Sequence, residues 1–398
     1  MSKRNASRRL PPGANAIDRR RALKLGGLGA AWLTLGPGIL AACGDDDDTT
    51  SATGGTTPGT GADTTAGGGA AKDSIKVGFG YIGPTTDNGW TFTHDEGRKA
   101  AEAALAGKMT STFVENVPLS AESTQIFEEL AAENDFVIVN SEYSDFLGSV
   151  AAEHPDVKFI ECDGHAYTDN LFPYYVSHHQ PAYLLGVAGG LLAAGGKIGY
   201  IGAFPTATAY NDVNGLLLGA RSVNPDATVQ AVMISSFFDP QKATQAANTL
   251  IDSGVEFLFA VMDEPAFLQV SNDRGIWAAT WNTDVRQFGP DAYVNSFNLQ
   301  WGDFYTEQCQ AVLDGTWTSK TEPQLLALNL GEWGDKVPQE VKDGVAEAEA
   351  KLADGSVQVY AGPLNDASGE PRLAEGETID DIGAYAIDFA LEGVSGVS

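Results

Sequence analysis

The segment with the most chemical information lies between Gly83 and Gly97, directly after a β-rich apolar run. It contains Asp87 and Asn88, and either side chain can cap a helix that begins just after them. Trp90 follows, and a large aromatic residue at a strand-to-helix loop can offer a flat face for stacking. The segment therefore predicts a contact for a planar ligand, with core packing of Trp90 as the alternative.

Other candidates stand at the ends of further predicted strands. Asp263 ends a strand in the second half of the chain, where capping of the next helix is its alternative role. Tyr143 and Phe204 also end strands, and each is expected either to line a cleft or to belong to a core. Each of the three residues is therefore predicted to lie at the carboxyl-end edge of the sheet in its own lobe.

Several motifs argue against catalysis. The run Gly78–Gly83 has the spacing of a dinucleotide fingerprint, but its first two glycines fall inside the strand and no helix opens there. The pair His178 and His179 would point to opposite faces of a strand, which disfavours a shared metal ion. No hydrolase or metalloprotease motif is present in the folded part, so we predict a protein that is not an enzyme and needs no cofactor or metal.

The overall charge excludes another class of partner. The chain has 24 Lys and Arg residues against 53 Asp and Glu residues, a formal net charge of −29. Phosphate contacts need basic side chains, so a nucleic-acid partner is not expected.

Strands and helices alternate from residue 75 onward, which predicts two doubly wound α/β lobes with mostly parallel sheets. We place lobe 1 at residues 73–180 and lobe 2 at residues 181–282. Residues 283–398 are expected to return to lobe 1, which would produce a hinge with several crossings. Ligands of such sheets bind at the carboxyl ends of the strands.

The beginning of the chain reads as a targeting segment. Residues 1–42 contain Arg19–Arg21 before a weakly apolar stretch, as in a twin-arginine export signal, although the general export route stays open. The run Leu40–Cys43 resembles a lipobox, in which Cys43 would carry lipid. Residues 43–72 are then a tether rich in Gly, Thr and Asp. We expect a lipid-anchored protein on the extracytoplasmic face of the cell membrane.

Two cysteines remain in the folded part. Cys162 and Cys309 would lie in an oxidising compartment, where a disulfide is possible. Two buried thiols are the alternative, because the sequence does not give the distance between their Cβ atoms.

Ordered motifs from about Ser74 to the end of the chain resemble the basic membrane protein family. These motifs are Ile82–Trp90, Glu115–Pro118, Phe159–Glu161, Lys197–Pro205, Leu218–Pro225, Phe238–Pro240 and Gln310–Trp317. The family comprises substrate-binding lipoproteins of ABC transporters, related to purine nucleoside receptors, with a type I periplasmic-binding fold. The resemblance implies the same fold and a small-molecule ligand for this chain.

The resemblance also implies a purine held between two aromatic rings. Trp90 occupies the position of the first-lobe ring, and Phe237 that of the second, with Phe238 as the alternative. Asp87 matches an acidic residue that faces the ligand. Asn282 stands where nucleoside receptors usually have Asp, and the Lys expected near Asn298 is absent. The expected ligand is therefore a purine base or a nucleoside, with a free base such as adenine, or a related small heterocycle, at least as well supported as a nucleoside.

The predicted function is therefore a monomeric receptor that delivers a purine to the permease of an ABC importer. Two alternatives remain: a sensor that docks on a membrane signalling partner, and a lipid-anchored nucleoside hydrolase.

Overall fold

The computed structural model describes residues 70–299 and 301–397. The leader, Cys43 and most of the tether lie outside the described residues, so export, lipidation and the tether stay predictions. Within the described part of the chain, none of the helices combines the length and apolar character that crossing a membrane requires.

Strands and helices alternate through the first half of the chain. In order they are β1 (Ile75–Gly80), α1 (Trp90–Ala104), β2 (Met109–Val114), α2 (Glu122–Glu133), β3 (Phe136–Val139), α3 (Ser144–Glu153), β4 (Lys158–Cys162), β5 (Leu171–Ser177) and α4 (His179–Leu192).

The same alternation continues with β6 (Lys197–Gly202), α5 (Ala207–Arg221), β7 (Thr228–Met233), α6 (Pro240–Asp252), β8 (Phe257–Ala260), α7 (Ala266–Arg274), β9 (Trp277–Thr280) and β10 (Tyr293–Asn298). The C-terminal part contains α8 (Trp301–Leu313), β11 (Gln324–Ala327), β12 (Asn329–Leu330), α9 (Gln339–Ala353), β13 (Tyr360–Ala361), β14 (Leu364–Asn365), β15 (Pro371–Leu373), β16 (Thr378–Ile379), α10 (Asp381–Ala384) and β17 (Val394–Ser395).

Two sheets organise these elements into two lobes. The first lobe has the strand order β11-β5-β4-β3-β1-β2, and every pairing in it is parallel. The second lobe has the order β12-β10-β9-β8-β6-β7-β17, in which only β12 runs antiparallel to its neighbour. Strands β3 and β8 are wholly apolar and fully buried, as parallel strands covered by helices on both faces usually are. The predicted α/β class with parallel sheets is confirmed.

The chain passes between the lobes three times. It leaves the first sheet after β5, returns after β10, and crosses again in the single residue Leu328 between β11 and β12. Helix α8 packs on α1 of the first lobe, and a Cβ atom at Gly97 would lie 2.4 Å from Trp301 Cβ. Three short connections of this kind form a hinge that lets two rigid lobes rotate.

The C-terminal region is shared by both lobes, which corrects the predicted boundaries. Strand β10 pairs with β9, so the second lobe extends to Asn298 instead of ending at residue 282. Helix α8 and β11 do return to the first lobe, but β12 and β17 join the second sheet. The short β17 covers the open edge of β7, a place that apolar periodicity does not reveal.

Cys162 and Cys309 are both buried and unpaired. Burial raises the pKa of both thiols, that of Cys309 to about 12. Of the two alternatives open at the sequence level, the structure has the two free thiols.

Candidate ligand-binding site between the two lobes

The loop between β1 and α1 is held by Asp87. Its carboxylate accepts hydrogen bonds from the backbone N–H groups of Gly89, Thr91 and Phe92, at 2.9, 3.0 and 2.9 Å. These are amides of the first helical turn, which have no partner within the helix. Both carboxylate oxygens thus cap α1, which is the alternative role of Asp87, and a contact of Asp87 with a ligand stays a prediction.

Trp90 lies where the two lobes meet. Its indole Nε1 donates to the Asn140 carbonyl in the first lobe at 2.7 Å. Its backbone N–H donates to Asp263 Oδ1 in the second lobe at 2.9 Å. Trp301 packs edge-on against the indole, with ring centroids 5.5 Å apart. Trp90 thus stands at the cleft side of α1, as its position after β1 predicted.

A second indole, Trp281, faces Trp90 from the second lobe. The two ring centroids are 5.8 Å apart and the planes are 13° from parallel. Behind Trp281, the imidazole of His178 stacks at 4.8 Å and 29°. Sequence analysis did not include Trp281 among the site residues, although it directly follows β9 and precedes Asn282.

Asp263 is a carboxyl group shared across the cleft. Its own N–H donates to the Phe237 carbonyl at 2.8 Å, and its Oδ1 accepts from Trp90. Burial, with the neighbouring charge of Asp87, raises the pKa of Asp263 to about 7. A Cβ atom at Gly89 would lie 2.0 Å from Asp263 Oδ1, so this close approach requires the glycine.

Asn282 and Asn88 connect the lobes on the same side. Asn282 is 4% exposed, and its Oδ1 lies 3.0 Å from the Thr93 hydroxyl of α1. Asn88 is exposed, and its carbonyl accepts from the Thr283 hydroxyl at 3.1 Å. Both residues adopt positive φ, 72° and 59°, which Asn tolerates better than most residues. Asn88 therefore contributes its backbone here, whereas Asn282 brings a buried amide.

Buried polar atoms without a partner concentrate around the start of α1. Among the described residues they are Thr91 Oγ1, His94 Nε2, Asn140 Nδ2, Glu264 Oε1 and Asn282 Nδ2. Two belong to α1, and the other three belong to residues that contact its first turn or lie beside Asp263. Buried polar groups normally have partners, so such a cluster marks a place where a ligand would supply them.

His94 is wholly buried behind Trp90. Its ring stacks on Trp301 with centroids 3.9 Å apart, and its Nδ1 lies 2.5 Å from the Tyr305 hydroxyl. Burial lowers the pKa of His94, so the ring is neutral at physiological pH. A neutral imidazole with one nitrogen free can donate or accept one hydrogen bond.

Phe204 and Phe237 form a separate aromatic pair on the second lobe. The rings meet edge to face at 5.8 Å, and they are 45% and 46% exposed. Phe238 is 57% exposed. In this structure the ring parallel to Trp90 is Trp281, and the role of Phe237 as a ligand-stacking ring stays a prediction. The Phe237 backbone is linked to Trp90 through Asp263, which bonds to both residues.

Tyr143 belongs to the core of the first lobe and not to the cleft. Its ring is fully buried and packs edge-on against Phe127 at 5.0 Å. Its hydroxyl donates to the Val117 carbonyl at 2.8 Å. Of the two roles predicted for Tyr143, the structure therefore shows the one in the core.

The glycines of the fingerprint-like run serve packing. A Cβ atom at Gly78 would lie 2.8 Å from Asn134 Nδ2, and one at Gly80 would lie 3.1 Å from Val139 Cγ1. Within the described residues no group of three or more His, Cys, Asp or Glu side chains is arranged to hold a metal ion. His178 instead bonds to Asp212 at 3.0 Å, and His179 to Asp381 at 2.8 Å.

The chain is similar to known substrate-binding proteins over most of its length. Residues 74–324 match the Bmp family, described as ABC transporter substrate-binding proteins of the PnrA-like type. A purine-binding protein of Brucella abortus is 35% identical over 337 residues, covering 81% of this chain and 94% of that relative. A Haloferax volcanii protein, named as an ABC transporter glucose-binding protein, is 34% identical over 329 residues, covering 81% of each. Since these two names differ in ligand, the ligand must be argued from the site.

Solved structures share the fold at low sequence identity. A solute-binding protein of an ABC transporter from Conexibacter woesei has a TM-score of 0.60 and 21% identity, covering 72% of this chain and 98% of that one. One from Aeropyrum pernix has a TM-score of 0.61 and 17% identity, covering 71% and 92%. These likenesses confirm the predicted periplasmic-binding fold with two lobes.

Proposed function

Because the chain belongs to the basic membrane protein family of ABC transporter substrate-binding proteins, we propose that it captures a purine outside the cytoplasm and delivers it to a membrane permease. The observation that supports a purine is the cluster at the start of α1. There, flat indole faces adjoin buried amide and imidazole nitrogens that have no partner.

A purine matches both halves of this chemistry. It presents two π faces, and stacking one face on an aromatic side chain contributes about 1–3 kcal/mol. Its ring nitrogens accept hydrogen bonds from amide donors such as Asn140 Nδ2. Asn140 Oδ1 already accepts from the Ile82 N–H at 2.8 Å, which fixes the free end of that amide as the donor.

A free base is favoured over a nucleoside. Asn282, a neutral amide, stands where nucleoside receptors of the family usually have Asp, and a carboxylate accepts more strongly from sugar hydroxyls than an amide does. An amide offers one donor and one acceptor, which suits the edge of a base. We therefore expect adenine to bind more tightly than adenosine.

The ligand test is a calorimetric titration. The mature chain is first unfolded, freed of small molecules and refolded, and then titrated with adenine, adenosine and glucose. We expect saturable binding of adenine, weaker binding of adenosine and no heat from glucose. Binding of glucose without binding of adenine would contradict the proposal and would favour the ligand in the name of the Haloferax relative.

Attachment to the membrane is a separate part of the proposal. It is supported by the lipobox-like run ending at Cys43, and no catalytic role is proposed for the protein. In the host, the native chain should sediment with membranes, and a Cys43→Ser chain should appear in the soluble extracytoplasmic fraction. Equal partition of the two chains would refute the lipid anchor. Incubation with adenosine should release no base, which would exclude the hydrolase alternative.

A further inference from the structure

The C-terminal strap, residues 360–397, contains β13 to β17 and packs on the second lobe. It lies beyond residues 74–324, the range that matches the Bmp family. Asn214 of α5 is buried and holds the strap with both ends of its amide. Its Nδ2 donates to the Phe389 carbonyl at 3.0 Å, and its Oδ1 accepts from the Leu391 N–H at 2.9 Å.

Further contacts fix the strap to the same lobe on either side of Asn214. Near the beginning of the strap, the Tyr360 hydroxyl donates to Asn211 Oδ1 at 2.7 Å. Asn211 Nδ2 in turn donates to the Ala384 carbonyl at 2.9 Å. Near the end, β17 pairs in parallel with β7. The strap therefore moves with the second lobe when the lobes rotate.

The strap is also fixed where the chain first passes between the lobes. Helix α4 follows that connection and packs closely on α5, since a Cβ atom at Gly219 would lie 1.9 Å from the Tyr183 carbonyl oxygen. At the start of α4, His179 Nε2 lies 2.8 Å from Asp381 Oδ1, and Gln180 Nε2 donates to the same oxygen at 3.0 Å. Helix α10 of the strap is thus held next to the hinge.

Tyr385 connects the strap to the first lobe. Its ring stacks on Tyr175 of β5, with centroids 4.2 Å apart and planes 30° from parallel. Its hydroxyl donates to the carbonyl of Val176, also in β5. Tyr175 is held inside the first lobe, because its hydroxyl donates to the Gly164 carbonyl at 2.8 Å. One ring of the stacked pair therefore belongs to each lobe.

These contacts of Tyr385 are formed while the cleft is closed. Across the cleft, the Trp90 N–H donates to Asp263 at 2.9 Å, and the Thr93 hydroxyl lies 3.0 Å from Asn282 Oδ1. Ring contacts have a short range, since a gap of 0.5–1 Å already removes about a quarter to a half of the attraction. A rotation that opens the cleft should therefore weaken the contacts of Tyr385 with β5.

We propose that the C-terminal strap stabilises the closed arrangement of the lobes through Tyr385, which the second lobe presents to β5 of the first lobe. Tyr385 is a positioning residue, since it acts on the angle between the lobes. The apparent dissociation constant of a ligand that binds the closed form rises as the closed fraction falls. This equilibrium exists whatever the ligand is, so the proposal goes beyond the proposed function.

The test measures the distance between the lobes without ligand. Spin labels are attached at Glu129→Cys on α2 and Gln245→Cys on α6, both exposed positions, in the mature Cys43→Ser chain. Cys162 and Cys309 are buried and should remain unlabelled. Pulsed electron paramagnetic resonance then gives the distance distribution, in which the closed distance follows from the structure and a second distance marks the open form.

Tyr385→Ala should lower the ratio of closed to open protein on the order of tenfold, because one ring contact and one hydrogen bond are lost. Tyr385→Phe keeps the ring and should lower the ratio by less. Phe389→Ala is the matched control, since its ring lies against Arg372 of the same strap, and the distribution should not change. A Tyr385→Ala distribution equal to that of the wild type, or a wild type without the closed distance, would overturn the proposal.

A double variant separates a contact between the lobes from two unrelated effects on folding. Tyr175→Ala removes the other ring of the stack, so Tyr175→Ala with Tyr385→Ala should be no more open than the more open single variant. Fully additive shifts would overturn the proposal. If either Ala variant fails to fold, Tyr385→Phe still decides, because an unchanged distribution in that variant would show that the hydroxyl contact with β5 does not hold the lobes.

Adenine titration gives a second readout and keeps the two proposals distinguishable. Tyr385→Ala should weaken adenine binding by the same factor by which it lowers the closed fraction. Unchanged affinity together with a lowered closed fraction would contradict the role of the strap in binding. Absence of adenine binding by the wild-type protein would refute the proposed function, whereas the distances measured without ligand would still test the strap.

Discussion

The interior of the cleft and the rim of the second lobe use aromatic residues in different ways. Inside, Trp90 is fixed by hydrogen bonds from both its Nε1 and its backbone N–H, and Trp281 is backed by a stacked imidazole. At the rim, Phe204 and Phe237 share one edge-to-face contact and remain nearly half exposed. We therefore expect the interior rings to fix the plane of a bound ligand, whereas the more exposed rim rings have more freedom to move.

Polar groups follow the same division. The unpartnered amide nitrogens of Asn140 and Asn282 lie beside the interior rings. At the rim, the Phe237 carbonyl is already bonded to the Asp263 N–H. The interior of the cleft thus combines aromatic faces that could orient a ligand with free polar groups that could form hydrogen bonds to it. Sites for small ligands usually have this composition.

Of the substitutions that test this difference between interior and rim rings, Trp90→Ala should have the largest effect on adenine affinity. Removing the interior indole should weaken adenine binding on the order of 10- to 100-fold, because one stacking face is lost. Titration calorimetry gives the change. Phe113→Ala removes an exposed ring from β2, the edge strand of the first sheet, and serves as the control, with unchanged affinity expected.

Thermal unfolding separates loss of binding from loss of fold in that comparison. Trp90→Ala should keep a cooperative transition, since β1 and the Asp87 cap do not depend on the indole. Adenine affinity equal to that of the Phe113→Ala control would show that the interior ring is not part of the site.

A second, smaller effect is the dependence of binding on pH. The pKa of Asp263, about 7 in the closed cleft, exceeds the ordinary carboxyl value of about 4 that an open, hydrated cleft would restore. The Asp263 carboxyl group therefore binds its proton more tightly in the closed form than in the open form, so protonation favours closure. This stabilisation of the closed form is lost as the pH rises through about 7 and Asp263 ionises. We expect ligand binding to close the lobes over Asp263, so adenine affinity should fall by up to about tenfold between about pH 6 and about pH 8.

The Asp263→Asn protein is the control for this dependence. It keeps an oxygen that can accept from the Trp90 N–H, but it has no proton to lose in this range. Its affinity should be nearly flat across the same pH interval. A wild-type affinity that rises with pH, or an equal slope in the Asn variant, would exclude Asp263 as the titrating group.

The smallest expected change sharpens the choice between base and nucleoside. Asn282→Asp keeps an acceptor for the Thr93 hydroxyl and introduces a carboxylate, which binds hydroxyl groups more strongly than an amide does. The ratio of adenosine affinity to adenine affinity should increase by roughly five- to tenfold, about the 1–1.4 kcal/mol by which a charged hydrogen bond exceeds a neutral one. Competition titrations with both ligands measure this ratio.

An unchanged ratio would place the ligand's ribose, or any equivalent group, away from Asn282. Asn88→Asp offers a matched comparison, since Asn88 is exposed and contributes its carbonyl. It should leave the ratio where it is.

Local patterns predicted most of the fold, and two of the strands that they did not indicate have identifiable physical causes. Strand β5 contains Pro173, which cannot donate to a ladder, yet it pairs in parallel register with Glu161 of β4. Strand β10 carries the buried polar residues Asn295 and Ser296, so it does not read as a parallel core strand. Both strands lead directly into connections between the lobes. Their structure is therefore determined by tertiary contacts at the hinge more than by the local preferences of their residues.

The sequence predicts which residues follow strand ends and so lie near the cleft. It does not predict which side chains meet across the cleft, because that depends on the hinge angle. Trp90, Asp263 and Asn282 follow strands β1, β8 and β9, and topology alone places such residues at the cleft. Which ring faces Trp90 depends on the angle between the lobes, which the sequence does not give; the resemblance implies Phe237, whereas in this structure Trp281 is parallel to Trp90. Tyr143 also follows a strand end, but its ring turns into the core of its own lobe.

The central claim is that two lobes hold a flat heterocycle between opposed aromatic faces, and a crystal structure of the adenine complex tests it most directly. The account predicts the base in stacking contact with Trp90, with its edge within hydrogen-bonding distance of the Asn140 or Asn282 amide. A base bound at the exposed Phe204 and Phe237 rings, with Trp90 and Trp281 still in contact, would contradict it.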